Sequence, residues 1–192
     1  MKIEKKTEET LIAELKSIFA KDNWDYEHSL ASAKWMKRLI KGEGGNEKIL
    51  VTAMYLHDIG YAEILKDGYT LEQRISSKPT HPIIGAEKAK ALLSTLGYAP
   101  EEISQIYRLI VVHDILEGEK NFDEQLVLEA DTLSQIDPAV SGGFDEENFS
   151  KYVELFERKR FPRVKTETGK KLLKEVAYSN NLFQKYTKLL KK

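Results

Sequence analysis

Residues 49–60 read Ile-Leu-Val-Thr-Ala-Met-Tyr-Leu-His-Asp-Ile-Gly. Apolar residues recur in this stretch at steps of three and four, and His57 follows Ala53 by four residues, which is the spacing of one helix face. We predict a helix over about 46–58, with Gly60 placed to end it, because glycine commonly closes helices. A histidine and an aspartate therefore stand together at the end of a predicted core helix.

The same periodicity predicts helices along almost the whole chain and gives almost no support for strands. Besides the helix just described, the predicted helices cover about 7–20, 25–40, 82–96, 100–114, 123–136, 145–160 and 166–190. Residues 61–80, which contain Gly68 and Pro79, are predicted to form a loop. The sequence therefore predicts an all-α fold.

The composition of the 192-residue chain fits one globular domain. Hydrophobic residues make up 41% and charged residues 32% of the chain, which is enough for both a core and a solvated surface. The 30 Lys and Arg residues nearly balance the 31 Asp and Glu residues, so no overall charge attracts nucleic acid or anionic lipid. We expect a cytoplasmic protein whose partner is a small molecule, with no nucleic acid and no membrane as partner. A homo-oligomer remains open.

The absence of cysteine limits the kinds of site that the chain can form. It excludes disulfides, thiolate metal sites, cysteine nucleophiles and iron–sulfur clusters. Any metal ion would therefore take nitrogen and oxygen ligands.

The sequence contains neither a stretch long enough to span a bilayer nor the apolar segment of a secretion signal at the N-terminus.

All four histidines occupy positions that point inward or lie at a helix start. His28, His57 and His113 lie on apolar stripes of three predicted helices, and His81 lies at the start of a fourth. A single buried histidine is more often a structural residue than a metal ligand, but the shared placement of all four favours a common function. Asp131 also projects from an apolar face, where an unpaired carboxylate would cost several kcal/mol of desolvation. This carboxylate needs a cation.

The order of these residues resembles the signature of the HD-domain metal-dependent phosphohydrolase superfamily, which has the tetrad His57-Asp58-Ile59-Gly60 at its centre. The resemblance covers about residues 20–140, and residues 166–172 are similar to a C-terminal helix of some members. It implies a single HD-domain helical bundle over residues 1–192. The metal-binding core would occupy about 20–140, and a C-terminal helical extension would occupy about 145–192.

The resemblance also implies a set of metal ligands. By position, the core metal set is matched by His28, His57, Asp58 and Asp131, and the pair that binds a second ion in binuclear members is matched by His81 and His113. Four imidazoles and two carboxylates suit transition metals better than magnesium or calcium. We predict one or two divalent transition-metal ions, iron or manganese before cobalt, nickel or zinc.

The implied reaction is hydrolysis of a phosphate ester or anhydride of a small molecule, with a nucleotide as the favoured substrate. Two ions bridged by Asp58 would lower the pKa of a water molecule and produce the hydroxide that attacks phosphorus. We therefore predict Asp58, His81 and His113 as catalytic residues. Arg74 and Lys78 precede His81 and are predicted to bind the substrate phosphate through charge-assisted hydrogen bonds.

Other activities of the superfamily remain open. Tyr61 follows the tetrad where cyclic-dinucleotide phosphodiesterases of the HD-GYP type have lysine, and the chain has no Gly-Tyr-Pro, so cyclic di-GMP is disfavoured. The alternatives are a mixed-valence di-iron HD-domain oxygenase, a mononuclear nucleotide pyrophosphohydrolase or nucleotidase, and a catalytically silent module. Retention of all six ligand types argues against the silent module.

Two further features are interpreted as solvated surface. Asp114 directly follows His113 at a predicted helix end, and we interpret it as a solvent-facing acid. The basic region over residues 158–192 is interpreted as an amphipathic helix with a solvated face. A role of Asp114 in proton transfer or ligand orientation remains open, and the basic region could also line a cleft or pack on another subunit.

Overall fold

The computed structural model describes residues 1–19, 24–66, 70–141 and 146–187. Within these ranges the regular elements are α1 (Lys5–Ile18), α2 (Trp24–Glu43), α3 (Glu47–Leu56), α4 (Tyr61–Ile64), α5 (Leu71–Ser77), α6 (His81–Thr95), α7 (Pro100–Val112), α8 (Phe122–Ser134), α9 (Pro138–Ser141), α10 (Glu146–Lys159), a 3-10 turn (Phe161–Arg163), α11 (Glu167–Ser179) and α12 (Asn181–Tyr186). No strand occurs in this described part of the chain. The prediction of an all-α fold is confirmed.

The predicted helices agree within a few residues with α1, α2, α3, α6, α7, α8 and α10. The prediction of a loop over 61–80 was wrong, because this stretch contains α4 and α5. Thr70 caps α5 by accepting a hydrogen bond from the Gln73 backbone N–H, while the Gln73 side chain accepts one from the Thr70 N–H. Such a reciprocal cap stabilises a short helix that has no apolar periodicity to reveal it.

The predicted helix over 166–190 is interrupted at Asn180. The Asn180 backbone is extended there, and its side chain accepts a hydrogen bond from the Phe183 N–H that begins α12. The same side chain donates a hydrogen bond to the Ile136 carbonyl oxygen, which attaches this break to the end of α8. Residues 20, 68, 145 and 188–190 of the predictions lie outside the described residues.

Helix α3 lies at the centre of the core. It packs against α1, α2, α6, α7 and α8, and every residue from Ile49 to Leu56 is buried. Burying each large aliphatic side chain contributes about 1.5–3 kcal/mol, so this helix has little freedom to move. The residues that follow it, His57 and Asp58, therefore have a well-determined position in the interior.

None of the described helices is both long enough and apolar enough to cross a bilayer.

The start of α11 is attached to α8 through a buried carboxylate. The Glu129 side chain is fully buried and accepts hydrogen bonds from the backbone N–H groups of Lys165 and Thr166 and from the Thr166 hydroxyl. A Cβ atom at Gly169 would lie 2.0 Å from a Glu129 carboxylate oxygen, so glycine lets the two helices approach. This contact holds the start of α11, which comes a few residues after Arg160, against α8.

Candidate metal centre

The six predicted metal ligands converge in the interior, and each is at most 4% exposed. Two of them lie within helices, His28 on α2 and Asp131 on α8. The others lie at helix ends: His57 and Asp58 directly follow α3, His81 begins α6 and His113 directly follows α7. Because a helix end leaves the backbone free to turn, adjacent side chains such as those of His57 and Asp58 can face the same point.

One half of the cluster joins α2, α3 and α8. The His28 Nε2 atom lies 3.1 Å from the His57 Nε2 atom and 3.1 Å from the Asp131 Oδ1 atom. The Asp58 Oδ2 atom lies 3.6 Å from the Nε2 atom of each of these two histidines. These four residues therefore present two nitrogens and two oxygens to one small volume.

The other half of the cluster joins the ends of α6 and α7. The Nε2 atoms of His81 and His113 lie 3.3 Å apart, and each lies 3.3 Å from the Asp58 Oδ1 atom. Asp58 thus faces one histidine pair with Oδ2 and the other pair with Oδ1. It is the carboxylate that the two halves of the cluster share.

Hydrogen bonds on the opposite side of each ring determine where the imidazole protons lie. The Nδ1 atoms of His57, His81 and His113 lie 2.7–3.1 Å from backbone carbonyl oxygens, which can only accept, so each Nδ1 carries the proton. His28 Nδ1 lies 3.0 Å from the Ser134 Oγ atom, whose own hydrogen is donated to the Asp131 carbonyl oxygen. All four Nε2 atoms therefore point lone pairs into the cluster.

These lone pairs show which group the cluster can hold. Two unprotonated Nε2 atoms near 3 Å repel each other unless a positive charge lies between them. Ligand atoms about 2.1 Å from a common ion at right angles are about 3 Å apart, close to the observed spacing. Imidazoles oriented by hydrogen bonds at Nδ1, together with carboxylates, are a donor set that suits a divalent transition metal. The residues of the cluster fit such an ion.

The pKa values of the cluster agree with this assignment. Burial lowers the pKa of His57 to about 4, so its imidazole is neutral at pH 7. Burial alone would raise the pKa of Asp131, but the positive charge of Arg160 and the contacts with His28 and His57 together outweigh burial and hold this pKa well below its usual range. Burial would lower the pKa of His113, but the hydrogen bond to Asp58 and the charge of that carboxylate raise it, so His113 favours its protonated form and would release this proton on binding a metal ion. Neutral imidazoles and ionised carboxylates are the metal-binding forms.

Arg160 is a site residue that the sequence analysis missed. Its Nη1 atom lies 2.6 Å from Asp131 Oδ2, and its Nη2 atom lies 2.8 Å from Asp114 Oδ1. Asp131 therefore has a cation on one oxygen while the other faces His28. A signal was present, because Arg160 follows the buried residues Val153 and Phe156 by seven and four residues, on the same helix stripe.

Two interpretations of solvated surface are corrected by these contacts. The Asp114 side chain is only 14% exposed and binds both Arg160 and, at 3.3 Å, the Lys78 Nζ atom. The basic region over residues 158–192 contains Arg160, which is buried because it neutralises two carboxylates. Charge alone did not distinguish this internal guanidinium from the surface lysines around it.

Arg74 connects the cluster to a stack of flat groups. Its guanidinium lies 4.6 Å from the centre of the Trp24 ring and 4.0 Å from that of Tyr61. Its Nη1 atom lies 2.7 Å from Asp25 Oδ1, and its Nη2 atom lies 3.5 Å from Asp58 Oδ2. The stack continues on both sides, because Trp24 stacks on His28 and Tyr61 stacks on His81. This guanidinium therefore supports two proposed ligands through aromatic rings.

A cavity of about 490 Å³ opens over the cluster. Its lining includes five of the six predicted ligands, all except His57, together with both predicted substrate-binding residues, Arg74 and Lys78. The Lys78 side chain is 49% exposed, whereas that of Arg74 is 16% exposed. The cavity is large enough for a small molecule and meets cationic side chains beside the cluster.

Gly60 allows the end of α3 to approach the first turns of α6. A Cβ atom at position 60 would lie 2.0 Å from the His81 carbonyl oxygen and 2.7 Å from the Gly85 nitrogen, and both are backbone atoms. We expect Gly60→Ala to lower the free energy of unfolding by about 1–3 kcal/mol, because backbone must move to relieve the overlap. Urea denaturation measures this loss.

Gly85→Ala is the matched control for this prediction. A Cβ atom there would come no closer than 3.1 Å to the Gly60 nitrogen, and alanine is favoured over glycine within a helix by about 1 kcal/mol. Its unfolding free energy should therefore change little. Equal losses in the two variants would contradict the proposed close approach.

Comparison with known proteins gives consistent findings. The model of the HD domain family matches residues 25–137. The "Putative phosphohydrolase YueE" of Bacillus subtilis (strain 168) is 34% identical over 113 residues, which make up 56% of this chain and 64% of that protein, so less than two thirds of that relative is spanned. The crystal structure of a predicted HD superfamily hydrolase from an uncultured Thermotogales bacterium has the same fold, with a TM-score of 0.63, 18% identity, and coverage of 93% of this chain and 90% of that one.

Proposed function

Since the chain belongs to the HD domain family, we propose that it is a metal-dependent phosphohydrolase that cleaves a phosphate ester or anhydride of a small molecule. The proposed metal ligands are His28, His57, Asp58, His81, His113 and Asp131. The proposed site binds two divalent transition-metal ions, iron or manganese before other metals. Nucleotides are the first substrate class to test.

The position of Asp58 is the observation that carries this proposal. Its Oδ2 atom lies 3.6 Å from the Nε2 atoms of His28 and His57, and its Oδ1 atom lies 3.3 Å from those of His81 and His113. A carboxylate placed in this way can bridge two ions, one beside each histidine pair. The geometry therefore supports the binuclear site over the mononuclear alternative.

The residues around the cluster have separate proposed roles. When bound, the metal ions supply positive charge that polarises a phosphoryl group and lowers the pKa of water. Asp58, His81 and His113 line the cavity and are the proposed catalytic residues, because they would hold the second ion beside the substrate-binding residue Lys78. Lys78 is proposed to bind the substrate phosphate, and Arg74 to bind it while holding Asp58 in place.

The C-terminal helices belong to the same proposed unit. Arg160 follows α10 and binds Asp131 on α8, and Glu129 on α8 holds the start of α11. We therefore propose a single domain over residues 1–192, in which the C-terminal extension supplies a cation to the site.

Elemental analysis of the freshly purified protein, together with a phosphatase and nucleotide panel with manganese or iron added, tests this function. We expect close to two metal ions per chain and metal-dependent release of phosphate from at least one class of ester or anhydride. Metal-loaded protein that hydrolyses none of these would contradict the proposal. Oxygen consumption with an organic substrate by the iron-loaded protein would instead favour the oxygenase.

The metal count of histidine variants tests the two-ion arrangement separately. His81→Ala and His113→Ala should each lower the count from two toward one, because they remove ligands from only one half of the cluster. Asp114→Asn is the control: this side chain is adjacent to His113 but binds Arg160 and Lys78, so the count should not change. A count of one ion in the wild-type protein that neither histidine substitution changes would leave a mononuclear site.

A further inference from the structure

A second cavity, of about 690 Å³, adjoins the cavity over the metal centre. Its walls come from α5, α6, the segment after α7, and α10. The two cavities share seven lining residues, among them Lys78, Tyr152 and Arg160. They are therefore two parts of one groove that begins at the cluster of proposed metal ligands and extends away from it.

Exposed apolar side chains are concentrated along the walls of this second cavity. Eight large hydrophobic side chains are exposed among the described residues, and four of them line this cavity. They are Ile75, Ile83, Ile115 and Leu155, which are 55%, 54%, 50% and 45% exposed. Single exposed apolar residues are ordinary, but half of them gathered beside a candidate active site indicate a surface that binds apolar groups.

The distribution of charge along the groove determines how a ligand would lie in it. Lys78, Asp114 and Arg160 stand where the two cavities meet, beside the proposed metal ligands. The second cavity alone contains the apolar Ile83 and Ile115, together with the charged Glu117 and Lys159. A phosphate bound at the cluster would place the rest of its molecule over Ile75, which lines both cavities. The hydroxyl groups of a nucleotide's ribose would find no hydrogen-bond partner on the four exposed aliphatic side chains, which an apolar group would contact directly.

We propose that the second cavity binds the leaving group of the substrate and that this group is an apolar alkyl or aryl alcohol. The inference rests on the proposed phosphohydrolase function and narrows its substrate class from phosphate esters or anhydrides of small molecules to phosphate esters of apolar alcohols, in place of nucleotides. In the reaction, a water oxygen forms a bond to phosphorus, the P–O bond to the alcohol breaks, and the alcohol leaves with a proton taken from water. The apolar walls hold the carbon chain of that alcohol.

Binding of phosphonates to the purified protein tests the apolar site without turnover. Titration calorimetry compares inorganic phosphate, ethylphosphonate and octylphosphonate, the last below its critical micelle concentration. Each buried methylene strengthens binding about four-fold, so burial of between three and four of the six additional methylenes should make octylphosphonate bind roughly 100-fold more tightly than ethylphosphonate. An equal affinity for the two phosphonates would overturn the apolar site and leave the phosphohydrolase intact.

Two neighbouring isoleucines on α6 provide a matched pair of variants. Ile83 lines the second cavity, whereas Ile84 lines neither cavity although it is also exposed, at 37%. Ile83→Gln should weaken octylphosphonate binding about tenfold and leave ethylphosphonate binding unchanged, and Ile84→Gln should change neither affinity. Equal effects of the two substitutions, or no effect of Ile83→Gln, would overturn the proposal.

The remaining outcomes separate the apolar site from the proposed function. Binding of octylphosphonate that Ile83→Gln weakens, without any binding of phosphate or ethylphosphonate, supports the apolar site and contradicts the phosphohydrolase. No binding of any of the three contradicts both. Sedimentation of the wild-type protein and of Ile83→Gln completes the test. If the wild type is a dimer and this substitution converts it to a monomer, a second copy of the chain covers the cavity. That result would overturn the proposal.

Discussion

Asp58→Asn is expected to reduce metal-dependent hydrolysis by a factor of roughly 1000 or more, because a catalytic metal contributes several kcal/mol to the transition state. Asp58 faces both histidine pairs, with Oδ1 toward His81 and His113 and Oδ2 toward His28 and His57. The amide has nearly the same size as the carboxylate but carries no negative charge. It therefore removes the proposed bridge with little effect on packing.

Initial rates with added manganese and the metal content of the purified variant measure this effect. Thermal unfolding with and without the metal provides a second readout, because an ion that binds only the folded state stabilises it by about 2.7 kcal/mol at 100 times its dissociation constant. This stabilisation should be much smaller in the variant. Undiminished turnover by Asp58→Asn would remove the proposed mechanism.

Asp137→Asn is the control for this experiment. Asp137 is also a buried aspartate, but it accepts hydrogen bonds from Lys34 and from the Trp35 indole and lines neither cavity. Its substitution should lower the unfolding free energy without changing the metal content per folded chain. A similar loss of metal in both variants would show that the effect of Asp58→Asn reflects general destabilisation.

Arg160→Leu is expected to lower the free energy of unfolding by about 3–5 kcal/mol, the cost of removing one partner from a buried ion pair. The guanidinium is buried and binds two carboxylates, Asp131 at 2.6 Å and Asp114 at 2.8 Å. Leucine fills part of its volume but leaves both carboxylates without this cation. Urea denaturation followed by circular dichroism measures the loss.

Arg38→Leu is the matched control. Arg38 also makes two hydrogen bonds to a carboxylate, that of Glu175, but this pair is 39% and 51% exposed. Its loss should cost about 1 kcal/mol or less, because water replaces the interactions of an exposed pair. A comparable cost for Arg160→Leu would show that the Arg160 pairs contribute no more than surface ion pairs.

Chelator treatment connects the Arg160 prediction to the metal centre. A metal ion on the Oδ1 side of Asp131 would supply part of the missing positive charge, so the loss should be larger after the metal is removed. Unfolding of Arg160→Leu with and without EDTA measures this difference. An equal loss under both conditions would contradict metal binding at Asp131.

Apolar spacing predicted the fold well where helices are long and one face is buried. Helix α3 is an example, because its buried residues repeat along its length and the chain turns directly after it. The same spacing failed for α5, a helix of seven residues whose stability comes from the cap at Thr70 rather than from an amphipathic face. Short helices carry too few apolar residues for periodicity to reveal them.

The sequence by itself determined the all-α class, the inward direction of the histidines and the order of the six predicted ligands, because these depend on spacing along one helix or on a pattern of residue types. Only the tertiary structure decided that the two oxygens of Asp58 face different histidine pairs, that Arg74 lies between two aromatic rings, and that Arg160 neutralises Asp131. Each of these contacts joins residues far apart in the chain. Local periodicity reports which face of a helix is buried, but the packing of helices against one another determines which side chains meet there.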